Sequence, residues 1–158
     1  MFSLKNKRDQ RGFTIVELLI VIVVIGILAA LVVTTYSGIQ AKARDSKRQT
    51  DLQALQTQIE AFYATNNFYP ALVDINSSTW RGTNMKSLSA DTMKDPSGTA
   101  STLSGTVASE SNQKVYAYVA THDDGTTTCT TGDTACTKYT LTSYLESSKT
   151  VYSKANLD

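Results

Sequence analysis

A lone carboxylate inside an apolar run is the first feature of this chain that demands a chemical reason. Glu17 is the only charged residue among residues 15–33. An ionised carboxylate at the centre of a membrane helix costs about 2.5–3.5 kcal/mol, and somewhat less toward the interface. Such a group either finds a cation to neutralise it as water is withdrawn or lies close enough to the interface to reach water. A second concentration of chemistry lies far along the chain. Cys129 and Cys136 enclose six residues, with His122, Asp123, Asp124 and Asp133 around them. Two cysteines of even count outside the cytoplasm point to a disulfide, whose small loop gains about 2–3 kcal/mol in the chain-entropy picture. The alternative, a redox or metal pair, needs further ligands; His122 is the sole histidine and the spacing matches no familiar zinc pattern. The aspartates offer oxygen ligands for Ca²⁺, but Asp123-Asp124-Gly125 is equally the composition of a tight turn.

The composition narrows the options. The chain has 158 residues, 41% apolar and 18% charged, with a formal net charge of +1. One histidine and scattered acids provide no nucleophile with a base, no paired acids and no ligand cluster, so the sequence does not read as an enzyme and calls for no cofactor. The charge is unevenly placed. Residues 1–12 hold four bases against one acid, net +3, and the remainder is net −2. A basic end before an apolar run stays on the cytoplasmic side. Nineteen residues make a helix of about 28 Å, enough for a hydrocarbon core of about 30 Å. The amino terminus is therefore expected inside and the rest exported. A secretory signal has a shorter apolar run and a small-residue cleavage site, and 31–36 (LVVTTY) is a poor match for one.

The helical pattern continues past the apolar run. No proline occurs before Pro70, and Leu52, Leu55, Ile59, Phe62 and Tyr63 fall on one helical stripe. Between Tyr36 and Leu52, the residues Lys42, Arg44, Asp45, Lys47, Arg48 and Asp51 read as a polar collar. Asn66-Asn67 and Pro70 supply stop signals. The spacing predicts one helix over about 13–65, on the order of 80 Å long, apolar all round in its first half and amphipathic in its second. Residues 71–113 are weakly patterned, with one short helix expected near 84–93. Residues 114–121 (KVYAYVAT) and 138–145 (KYTLTSYL) alternate as antiparallel strands, and 150–153 could add an edge strand. The fold class is α+β: a long helix packed on a small antiparallel sheet. The expected divisions are a basic leader at 1–12, a membrane or filament-core helix at 13–33, its amphipathic continuation at 34–65 and an exported domain at 66–158.

The junction Arg11-Gly12-Phe13-Thr14-Ile15-Val16-Glu17-Leu18-Leu19-Ile20 resembles the class III signal of type IV pilins and pseudopilins. The resemblance is close over residues 8–63. It implies cleavage between Gly12 and Phe13 by a prepilin peptidase that also methylates the new amino terminus on Phe13. Thr14 and Glu17 match positions the family keeps, and Glu17 would neutralise the new α-amino group as the subunit enters a filament. Two departures stand out. Many members carry proline at the position of Thr34, so a straighter helix, or flexibility at Gly26 or Gly38, is expected here. The Cys129–Cys136 loop resembles the disulfide-bounded loop of many pilins but is shorter, while a calcium site in this part of the chain would be a pseudopilin feature.

The partners implied are copies of itself and related pilins, the peptidase and methyltransferase, a membrane assembly platform, and lipid before assembly. The chain would be a single-pass membrane protein and then part of an extracellular or periplasmic filament. The main reading is a type IV pilin-like structural subunit, with a type II secretion pseudopilin or a minor pilin as the alternative. Residues 52–158 are net −3, which argues against nucleic acid as a partner, leaving only a local patch at Arg81, Lys86 and Lys94. Asn76-Ser77-Ser78 is a formal glycosylation sequon.

Overall fold

The computed structural model describes residues 12–157; the expected leader, apart from Gly12, lies outside them. Helix α1 (Ile15–Asn66) comes first, followed by short helices α2 (Leu72–Asn76) and α3 (Ser78–Asn84). Strands β1 (Ala117–Thr121), β2 (Lys138–Leu145) and β3 (Thr150–Ala155) form an antiparallel sheet in the order β1-β2-β3. The chain divides into two compact units at the Gly38–Ile39 bond.

In the first unit α1 is apolar on every side. Its side chains from Ile15 to Val33 are exposed, and none of its most apolar stretch is buried within the chain. By length and composition the helix could cross a membrane. Thr35 returns its hydroxyl to the Leu31 carbonyl at 2.9 Å, the back-bond that β-hydroxyl residues make in helices.

In the second unit the stripe is where the spacing predicts. Leu52, Leu55 and Ile59 are fully buried and Phe62 nearly so, each such side chain contributing about 1.5–3 kcal/mol of hydrophobic stabilisation. They face Tyr116, Tyr118, Tyr139 and Leu141 in one core, where Tyr118 pairs Leu141 and Tyr139 pairs Ala120 across β1 and β2. The helix ends where Asn67 takes a left-handed φ of 64° and its N–H donates to the Tyr63 carbonyl at 2.7 Å, an αL stop that asparagine tolerates. Aromatic packing then anchors the exit. Tyr63 stacks on Tyr69 at 4.3 Å, and Tyr69 meets Tyr139 edge-on at 4.7 Å. Glu60 accepts hydrogen bonds from both Tyr69 and Tyr139, at 3.1 and 2.7 Å.

The middle of the chain departs from expectation. The expected helix near 84–93 is absent: 85–93 run through turns, and the helices lie earlier, at α2 and α3. Ser77 caps α3, its hydroxyl accepting from the Trp80 N–H at 3.3 Å. Met85, Leu88 and Met93 still enter the core, but the intervening chain turns instead of winding. Arg81 is also buried, with Nη1 donating to the Ile75 carbonyl, so it adds nothing to a surface patch with Lys86 and Lys94. Asn76 exchanges two hydrogen bonds with the backbone of Leu103, which occupies the amide nitrogen that a glycan would need.

Candidate functional site

The start of α1 is built by two side chains. The Thr14 hydroxyl accepts from the Glu17 N–H at 3.2 Å, and a Glu17 carboxylate oxygen accepts from the Thr14 N–H at 2.8 Å and its hydroxyl at 2.6 Å. This is a reciprocal capping box, which satisfies helix donors that otherwise have no partner. The pattern Thr-x-x-Glu is the sequence signal of this cap, which gives Glu17 a second role beside its charge. The arrangement holds the carboxylate on the first turn, beside Phe13, which is almost fully exposed. Gly12 stands just before the helix, exposed, and a Cβ there would meet nothing within 4 Å.

The polar collar on α1 is divided, with Lys42 and Lys47 exposed and Asp45, Arg48 and Asp51 buried. Arg48 is fully buried, and its guanidinium grips Asp95 in a fork, Nε to Oδ2 at 2.6 Å and Nη2 to Oδ1 at 3.0 Å. It also donates to Asp45 at 2.8 Å and to Glu146. Asp45 accepts the backbone N–H groups of Glu146 and Ser147 at 2.9 and 2.8 Å, tying the helix to the β2–β3 turn. Asp51 takes the Tyr116 hydroxyl at 2.7 Å and Lys47 at 3.0 Å. Burial raises the pKa of the Tyr116 phenol, and its bond to Asp51 adds to the effect. The site is an electrostatic clasp between α1 and the sheet.

That clasp has a pH signature. Hydrogen bonds from Arg44, opposed by desolvation and reinforced by Arg48 and Ser97, hold the Glu146 carboxyl down to about 2 from an ordinary 4.5. A carboxyl depressed on folding stabilises the fold above its unfolded pKa and loses that contribution as pH falls through the folded value. The melting temperature of the detergent-solubilised chain should therefore fall as pH is lowered from about 4.5 to about 2. Glu146→Gln should lower the melting temperature at pH 7 and flatten that slope; an unchanged slope would remove Glu146 from this role.

The carboxy-terminal chemistry gathers beside β1. Cys129 and Cys136 are disulfide-bonded with Cα atoms 5.9 Å apart. His122, directly after β1, meets Asp133 through Nε2 and Oδ2, and that bond chiefly holds the Asp133 carboxyl below its usual range. The three aspartates do not converge. Asp124 accepts the N–H groups of Thr126 and Thr127, both at 2.9 Å, Asp123 faces Lys138 at 3.1 Å, and Asp133 pairs with His122. Gly125 takes a φ of +69°, which confirms 123–125 as a turn and explains its glycine.

Residues 7–33 match the family described as "Prokaryotic N-terminal methylation motif". Within that match lie the Gly12–Phe13 junction, the capping box and the exposed apolar half of α1. This is an amino terminus of the N-terminal methylation type. One stretch of the chain is 44% identical over 65 residues to the type II secretion system core protein G of Aeromonas hydrophila, and one is 42% identical over 64 residues to that of Dickeya chrysanthemi. Another is 41% identical over 64 residues to the type IV major pilin protein PilA of Myxococcus xanthus. These stretches cover 40–41% of this chain. They span under half of each relative, 46%, 42% and 29% respectively. No solved structure gives a significant match. About two fifths of the chain is thus similar to pilins and pseudopilins, and its fold is a pilin-like α+β arrangement.

Proposed function

We propose that this chain is a subunit of a pseudopilin-type filament, cut between Gly12 and Phe13, methylated on Phe13 and polymerised through the first half of α1. The observation that carries the proposal is a helix apolar on all faces and unburied by its own chain. Such a surface requires a second environment, first lipid and then sister helices. Glu17, fixed on the first turn by Thr14, stands where the new α-amino group of Phe13 would arise. Pairing the two removes an uncompensated charge as the helix packs away from water. Prepilin peptidase, an assembly platform and related subunits are the partners of this cycle, with the carboxy-terminal unit on the exported side.

The pseudopilin reading rests on the similarity of 40–42% of the chain to the core protein G of several bacteria. A surface pilus is the second reading, favoured by the Cys129–Cys136 disulfide and the similarity to the Myxococcus pilin. Fractionation separates the two. At native expression, processed protein confined to the cell envelope supports the pseudopilin, whereas abundant processed protein in fibres sheared from the surface supports the pilus. Chain that cross-links to no other subunit in either fraction would overturn both.

A further inference from the structure

The disulfide region holds more ligand chemistry than a structural cross-link needs. One donor atom from each of His122, Cys129, Asp133 and Cys136 lies within 4.8 Å of all the others. Both cysteines are buried while His122 and Asp133 are partly exposed, so the sulfurs form the floor and the imidazole and carboxylate the solvent side. The backbone frame is firmly tied. The Cys129 N–H donates to the Ala120 carbonyl at 3.0 Å, the Tyr69 N–H donates to the Cys136 carbonyl at 2.8 Å, and the His122 N–H donates to the Thr127 carbonyl at 2.9 Å. Asp133 Oδ1 accepts the Ala135 N–H at 3.0 Å, a second-shell bond of the kind that aims a ligating carboxylate.

We propose that this cluster is a zinc site that forms when the disulfide is reduced, with His122, Cys129, Asp133 and Cys136 as its four ligands. Tetrahedral zinc takes sulfur at about 2.3 Å and nitrogen or oxygen at about 2.0–2.2 Å, so its donor atoms stand roughly 3.3–3.8 Å apart. The four donors are already gathered near that scale. Breaking the sulfur–sulfur bond lets the thiolates separate, and the metal replaces the hydrogen bond between His122 and Asp133. Two thiolates, an imidazole and one carboxylate suit zinc, whereas Ca²⁺ takes an all-oxygen set. The reaction balances in two steps. A dithiol reductant gives two electrons and two protons to the disulfide, becoming a cyclic disulfide itself; Zn²⁺ then binds the two thiols and releases their two protons. Disulfide and zinc are therefore mutually exclusive states of one loop, and the site does not depend on the filament reading.

Cobalt(II) substitution tests this on the full-length chain in detergent. The protein is reduced with excess dithiol, freed of it without oxygen and titrated with Co²⁺. The expected result is one Co²⁺ per chain with thiolate-to-cobalt charge-transfer and intense tetrahedral d–d bands, both displaced by Zn²⁺ and absent from the oxidised chain. His122→Ala and Asp133→Ala should each weaken binding at least about tenfold, with melting of their oxidised forms measured to certify the fold. A reduced wild-type chain without the thiolate–cobalt band, or equal affinity in folded His122→Ala and Asp133→Ala, would overturn the site.

Discussion

Glu17→Gln should leave the chain processed and membrane-resident yet absent from filaments. Glutamine serves at the third position of a capping box as well as glutamate does, so the bonds between Thr14 and residue 17 have a neutral replacement and the helix start is kept. What the change removes is the negative charge facing the expected α-amino group of Phe13. With no counter-charge, burying that amine among apolar helices costs several kcal/mol, enough to cut incorporation by more than a hundredfold at 1.4 kcal/mol per decade. The measurement is the ratio of processed chain in filament and membrane fractions. Wild-type incorporation of Glu17→Gln would show that the carboxylate acts only as a cap. Glu17→Leu, losing both cap and charge, should also fail to assemble, and Thr14→Ala separates the two roles by removing most of the cap alone.

The second large effect belongs to Arg48. Its guanidinium is fully buried and serves Asp95, Asp45 and Glu146 together. Arg48→Met leaves those carboxylates facing one another without their shared cation. Removing one partner of a buried ion pair costs about 3–5 kcal/mol, a large share of the roughly 5–15 kcal/mol that holds a domain folded. Denaturant unfolding of the solubilised chain, followed by the carboxy-terminal unit's tyrosines, should show that loss. Arg48→Lys should recover only part of it, because an ammonium cannot reproduce the fork to Asp95. A loss under about 0.5 kcal/mol, the size of an ordinary surface substitution, would mean that the clasp is not what joins α1 to the β2–β3 turn.

These two residues also mark the boundary of what the sequence discloses. The stripe of Leu52, Leu55, Ile59 and Phe62 declares itself because a helix repeats every 3.6 residues, and burial then follows from the pattern. Strands β2 and β3 are legible for the parallel reason, alternation bounded by turns. Arg48 carries no such signal. Its partners Asp95 and Glu146 lie 47 and 98 residues away, so a local reading sees only one charge among the six of a polar collar. The segment 84–93 misleads differently. Its methionines and leucine are core residues, but they reach the core through successive turns, and the helix-starting signal sits earlier, at Ser77. His122 and Asp133 are joined by the excursion between β1 and β2, so their proximity to the cysteines emerges only in the fold. The cap between Thr14 and Glu17 is a local signal, because its two residues lie three apart.

The central claim is that Gly12 and Phe13 are separated and that Phe13 begins the working subunit. The intact mass of the chain purified from its native membranes tests it most directly. The account predicts a single species lacking residues 1–12, heavier by one methyl group on Phe13 and lighter by the two hydrogens of the Cys129–Cys136 disulfide. Full-length chain alone, or an amino terminus at any other residue, would contradict it.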